Sequence, residues 1–276
     1  PLPCTTGNPA TSNQLTLTVV EKPAVSLTTC FDTITTTNAK PIRLKGGIPL
    51  GGTFTGTGVE SVVSAENGIE YYFDPQVAGA GTHEITYNYI NSAGCEDSAK
   101  TTVLNSQFSI LNCGDTLIDI RDDQKYATIE IGTQCWMAEN LNYGTEIPLT
   151  SPQRDNCLPE KYESFGFLVS GFGLYQWDEV MCFRDVEDVQ GLCPPGWHVP
   201  SEADWQELFN YFQGSAFAGN PLLTTGYSGF NAFLSGAGIF NTKWHYADFA
   251  TFFWSSTSHG STKARAHGIN KYNYSV

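Results

Sequence analysis

The residues able to do chemistry are few and dispersed. Eight cysteines stand at positions 4, 30, 95, 113, 135, 157, 182 and 193 with no CxxC pair, and the five histidines do not cluster. Disulfides in an oxidising compartment are therefore expected rather than a metal centre. Cys182, Cys193 and His198 offer three zinc ligands at loose spacing, one short of a closed structural site. His198, in GWHVP just ahead of a helix, reads as a structural imidazole hydrogen-bonded to backbone, because the sequence places no nucleophile beside it. Asp178 and Glu179 adjoin Trp177, and a carboxylate near an aromatic is what a glycosidase uses, but no second member of a pair is identifiable. Both are assigned to a solvated helix face. No catalytic residue is assigned, and the chain is expected not to be an enzyme.

Two further patterns suggest sites and are assigned to structure. GGTFTGTG at 51–58 lacks the following Lys-Ser/Thr and the helix onset of a phosphate loop, so it reads as a strand with turns. Asp119, Asp122 and Asp123 lack the ligand spacing of a calcium loop and read as a polar turn. No cofactor and no metal ligand are assigned, and structural calcium elsewhere stays open. Recognition is placed after Trp254, itself expected in the core. His259, Lys263, Arg265, His267, Asn270, Tyr272 and Tyr274 are polar or aromatic side chains suited to a wet, adaptable contact surface.

The elements that must position these residues fall into two textures. VSLTT at 25–29, PIRL at 41–44, GGTFTGTGV at 51–59, IEYYF at 69–73 and HEITYNYI at 83–90 are short strands punctuated by turns. In the last of them Ile85, Tyr87 and Tyr89 share one face and Glu84, Thr86 and Asn88 the other, the period of a half-buried antiparallel strand. Several such strands without a helical pattern imply a β-sandwich over residues 23–105. Cys4 precedes LTLTVV just as Cys95 precedes AKTTVL at 99–104, so residues 1–22 read as the final strand of a preceding repeat.

After a linker near 104–112 the texture changes, with five of the six tryptophans falling beyond residue 170. A second domain over 106–276 opens on a hairpin of TLIDI and KYATIEI. Its clearest helix covers 202–213, with Ser201 as N-cap, Asp204 three residues later, Trp205, Leu208, Phe209 and Phe212 at helical spacing, and Gly214 as a C-cap glycine.

Acidic residues outnumber basic ones 28 to 14 and the cations are scattered, so nucleic acid is a poor partner. No stretch approaches the roughly 20 apolar residues of a membrane-spanning helix, and residues 1–22 do not resemble a signal peptide, so any export signal is expected outside this sequence.

Four segments carry a family resemblance: DIRDDQKYATIEIGTQCWMAENLNY at 119–143, GLYQWDEVM at 173–181, CPPGWHVPSEADWQEL at 193–208 and FFWSSTS at 252–258. They resemble the Fibrobacter major paralogous domain of secreted proteins in Bacteroidota and Fibrobacteres. That resemblance implies an α+β domain of C-type-lectin-like fold whose loops and late strands bind ligand. It also implies a closing strand with a sixth cysteine beyond Val276, whose partner would be Cys135. The calcium-bridging tripeptides EPN, QPD and WND are absent. The first domain, through LKGGIPLGGTFTGTGV at 44–59, FDPQVAGAGTHEITYNY at 73–89 and GCEDSAKTTV at 94–103, is similar to immunoglobulin-like or PKD-like repeats of large Bacteroidota adhesins. In such a repeat Cys30 can pair with Cys95 across the sandwich, which leaves Cys113, Cys135, Cys157, Cys182 and Cys193 to the second domain. DTI at 32–34, DSA at 97–99 and DTL at 115–117 resemble the O-glycosylation pattern of Bacteroidota, with Thr33, Ser98 and Thr116 as acceptors.

The function expected is a cell-surface adhesion or recognition module of a large exported protein, with stalk repeats presenting a lectin-like domain to a surface protein or glycan. The alternative is an assembly or anchoring domain that docks to the type IX secretion apparatus or a surface lipoprotein of the gliding or attachment machinery. A carbohydrate-active enzyme ranks third. An extracellular location follows by analogy.

Overall fold

A computed structural model describes residues 19–64, 68–107, 112–163, 173–238, 244–259, 264–272 and 276. The protein is mostly β, with a few short helices. The proposed remnant repeat, Cys4 included, lies almost wholly outside the described residues.

The period-two segment forms the longest ladder of the N-terminal unit. Gly81–Ile90 pairs antiparallel with Glu96–Ser106, from Gly81 opposite Asn105 to Ile90 opposite Glu96. Thr53–Thr55 extends this sheet on one side, and Ile34–Thr36 adds a parallel strand on the other. A second sheet joins Ile42–Arg43, Gly68–Phe73 and Val59–Ser64. Ile85 and Tyr87 are buried as their spacing requires, and with Leu44, Phe54, Phe73 and Val103 they form one apolar core. The glycines of GGIPLGG admit the Tyr87 ring: a Cβ at Gly47 or Gly52 would lie 2.4 Å from it. Tyr87 donates to the Pro49 carbonyl and accepts from the Gly52 N–H at 2.7 Å, so the loop closes on a ring and not on a phosphate.

The strand Glu96–Ser106 runs into the stretch expected as linker. Beyond it, Thr116–Ile118, Lys125–Ile131 and Gln134–Met137 form an antiparallel meander, whose first pair is the expected hairpin. Thr145–Ile147, Glu160–Glu163 and Gly173–Leu174 make a small mixed sheet, and Ala250–Ser258 pairs with Ala264–Asn270. The helix Glu202–Tyr211 starts on a full capping box: the Ser201 side chain accepts from the Asp204 N–H, and the Asp204 carboxylate accepts from the Ser201 N–H. It ends two residues earlier than expected. Gln213 and Gly214 turn left-handed, and Gly214 then serves as N-cap of a second helix, Ser215–Leu222. Trp205, Leu208, Phe209 and Phe212 pack with Ile131, Leu222, Phe230 and Ile269 as the core of this domain.

The expected Cys30–Cys95 bridge is not formed. Cys30 is bonded to Cys157, 127 residues away, across the two units. Its sulfur packs beside Gly46, and the neighbouring Lys45 pairs with Asp155, so this edge faces the second unit. Cys95 instead closes the turn at Asn91, whose side chain accepts from the Ala93 and Cys95 N–H groups. Cys135, assigned a partner beyond the chain end, is bonded to Cys113, 22 residues away, while its strand Gln134–Met137 pairs with Lys125–Ile131, the middle strand of the meander. Cys95, Cys182 and Cys193 form no disulfide.

A polar junction completes the attachment of the units. Arg121 grips the Asp119 carboxylate through Nε and Nη2 at 2.9 and 2.7 Å, donates to the Leu192 carbonyl at 2.8 Å, and stacks 3.9 Å above the Tyr143 ring. From the N-terminal unit Asp32 lies 3.7 Å from Arg121 and accepts from Gln190 at 3.0 Å. Arg184 donates to the Pro41 carbonyl and stacks on Tyr72.

Candidate ligand-binding site

A cleft of about 960 Å³ opens in the C-terminal domain. Among the described residues its lining comes from stretches far apart in sequence: Thr116 to Ile120, Gln134 to Leu141, Gly173 to Val180, Cys193 to Trp205, Phe230 to Gly238 and Thr251 to Trp254, with Leu149, Tyr162 and, from the N-terminal unit, Thr36 and Ser106 also contributing. Trp136, Tyr175, Trp197, Phe252 and Trp254 supply aromatic surface, and Gln134, Asn140, Gln176 and His198 supply polar groups. Apolar walls with a few converging polar groups are the usual composition of a small-ligand or glycan site.

The aromatic side chains are held from behind. The Trp254 indole donates to the Tyr175 carbonyl at 2.8 Å, the Trp177 indole to the Ser255 carbonyl at 2.8 Å, and Trp136 packs on Trp205 with ring centroids 5.0 Å apart. Trp254, expected in the core, is half-buried and lines the cleft. Phe252 is 42% exposed and joins a surface cluster with Tyr246, 6.1 Å away. Tyr246 in turn contacts Phe249, and Phe249 contacts Tyr272.

At the cleft edge three metal-capable side chains converge. One donor atom from each of Asp188, His198 and Asp204 lies within 4.8 Å of the others. The hydrogen bond His198 makes among the described residues is to a side chain and not, as expected, to backbone: Nε2 lies 3.3 Å from Asp204 Oδ2. That hydrogen bond raises the imidazole pKa and, with the two donors of Ser201, holds the Asp204 carboxyl down at about 2. Neither Cys182 nor Cys193 belongs to this group, and burial pushes the Cys193 thiol up to about 12.

The residues assigned to recognition separate into two places. Arg265 and His267 both reach Glu202, at 3.4 and 3.2 Å, and Arg265 also meets His259 at 3.4 Å. The His267 ring packs on Trp205 and Phe209, so this imidazole is partly core, and burial lowers its pKa. Asn270 ends the same strand and Tyr272 lies in the turn beyond it, where Asn270 accepts from the Tyr272 N–H. Lys263 and Tyr274 lie outside the described residues. None of the five described residues lines the cleft, whose wall is the partner strand. Of the glycosylation candidates, Ser98 and Thr116 are exposed and Thr33 is half-buried.

Asp178 and Glu179 do not share a solvated face. Asp178 is exposed, whereas Glu179 is buried, with Oε1 accepting from the Glu160 N–H at 2.8 Å and Oε2 without a hydrogen-bond partner among the described residues. Burial pushes its carboxyl up to about 7. It stands behind the cleft and not in it.

Asp188 and the aromatic cleft escaped sequence reasoning. Part of the signal for the cleft is present in the sequence: four of its lining stretches fall within or beside the segments at 119–143, 173–181, 193–208 and 252–258, whereas Phe230 to Gly238 falls in none of them. Residues 129–276 match the family model described as Fibrobacter succinogenes major domain. No curated protein and no solved structure matches the chain.

Proposed function

The chain belongs to the Fibrobacter succinogenes major domain family, and from that premise we propose that it is a cell-surface recognition module of an exported bacterial protein. In this reading the C-terminal domain, lectin-like in fold, binds ligand in the aromatic cleft. The N-terminal unit, an immunoglobulin-like sandwich, carries it as a stalk. The observation that carries the proposal is that all four segments that bear the family resemblance contribute, beside Phe230 to Gly238, to one cleft lined by Trp136, Tyr175, Trp197, Phe252 and Trp254. Packing alone would let such segments scatter through the core. Half-buried aromatic rings lining an open cleft, with Phe252 exposed, suit the flat, C–H-rich faces of sugar rings, so a glycan is the ligand class favoured. Two disulfides fit an oxidising compartment, and no helix among the described residues is long and apolar enough to cross a membrane.

The test is a glycan array probed with the labelled full chain, run beside a hydrolysis assay on the same glycans. Retention of a defined glycan class without turnover is expected. Turnover, or no binding to the array together with a stoichiometric envelope partner on co-purification, would replace recognition by catalysis or by anchoring.

A further inference from the structure

We propose that Asp188, His198 and Asp204 form a divalent-metal site of the zinc class at the edge of the cleft. The inference goes beyond the recognition reading, since an ion can bind here whether or not the cleft takes a glycan.

The three side chains belong to different local structures, and each backbone is fixed. Asp188 and His198 each precede one member of the hydrogen bond from the Val199 N–H to the Val189 carbonyl, 2.9 Å long. That bond sets the two residues side by side although ten positions separate them in sequence. The Asp188 N–H is also held by the Ser256 hydroxyl at 3.2 Å. Asp204 is fixed by the capping box, its Oδ2 accepting from the Ser201 N–H at 2.8 Å and the Ser201 hydroxyl at 2.7 Å. Such outer contacts are what orient a ligating carboxylate.

One donor from each residue lies within 4.8 Å of the other two. Zinc bonds to nitrogen and oxygen are about 2.0–2.2 Å, so donors on one ion stand roughly 3–4 Å apart. Small side-chain rotations close that gap. The imidazole is 48% exposed and the Asp204 side chain 30%, so an ion has access. Two carboxylates and one imidazole suit zinc and its first-row neighbours, whereas calcium prefers an all-oxygen shell. The helix N-terminus and Lys40 oppose a cation there, and two carboxylates answer them. Three protein ligands leave a coordination position open. His198 and Asp204 also line the cleft, so a hydroxyl or carboxylate of a ligand bound there can complete the shell.

The test is calorimetric titration of the untagged, chelator-stripped full chain with zinc, with calcium as control. One zinc per chain at micromolar affinity and no comparable calcium binding are expected. His198→Gln and Asp188→Asn should each weaken zinc by roughly tenfold or more. Asn accepts the left-handed backbone of position 188, φ 57°, so that variant keeps the fold, and circular dichroism of both variants checks this. Absence of zinc binding by the wild type, or wild-type affinity in either variant, overturns the site. Neither result bears on glycan retention, which is read separately on the array.

Discussion

The junction between the units and the edge of the cleft contain similar side chains put to opposite uses. At the junction Arg121, Asp119, Asp32 and Gln190 pair with one another through hydrogen bonds and, for Arg121 Nη1, a 3.7 Å ion pair to Asp32, and Asp119 and the Arg121 side chain are almost wholly buried. At the cleft edge Asp188, His198 and Asp204 converge with solvent access, beside aromatic surface that no other element covers among the described residues. Burial with mutual satisfaction makes a clamp. Convergence with access makes a candidate site. Charge alone does not distinguish them.

The comparison can be broken most severely at the clamp. Arg121→Met leaves Asp119 fully buried without its cation and Asp32 without its neighbour, and should cost about 3–5 kcal/mol in urea unfolding. The same truncation at exposed Arg265 should be nearly neutral. Cys30→Ser removes a link closing 127 residues and should cost about 2–5 kcal/mol. It should also split one calorimetric transition into two, one per unit.

A smaller effect is pH-dependent. Burial raises Asp32 to about 6 and Glu179 to about 7, above their ordinary 3.8 and 4.5. The folded state therefore holds protons that the unfolded chain has released. This contribution is full below the ordinary values and is lost as pH rises through about 6 to 7. Thermal melts from pH 5 to 8 should fall in midpoint, and Glu179→Gln should flatten the upper part of that slope. Asp204 behaves oppositely, its stabilising contribution being lost only as pH falls toward 2. The smallest change is Ser201→Ala, which removes the cap bond from the Asp204 N–H and the hydroxyl's bond to Asp204 Oδ2 and should cost about 1 kcal/mol.

What was legible in the sequence was what depends on neighbours along the chain. The alternation in HEITYNYI fixes which face of Gly81–Ile90 is buried, and Ser201 with Asp204 announces its helix, because period and cap are local properties. Disulfide partners were not legible. Cys30 reaches Cys157 only after both units fold and meet, and parity within a supposed repeat carries no such information. Asp188 joins His198 through a pairing of two loops that neither loop's composition signals. Glu179 illustrates a different failure: its neighbour Asp178 is solvated, and in a helix only four residues long adjacency says little about environment. Of the late polar residues, Arg265, His267 and Asn270 share the strand Ala264–Asn270. It is the partner strand, with Phe252 and Trp254, that lines the cleft.

The central claim is that recognition belongs to the cleft, and glycan-array signal compared across three proteins tests it most directly. These are the wild type, Phe252→Ala in the cleft wall, and Arg265→Ala on the neighbouring strand. Phe252→Ala is expected to abolish the wild-type signal while Arg265→Ala preserves it. Full signal from Phe252→Ala together with loss in Arg265→Ala would contradict that claim and return recognition to the late strand.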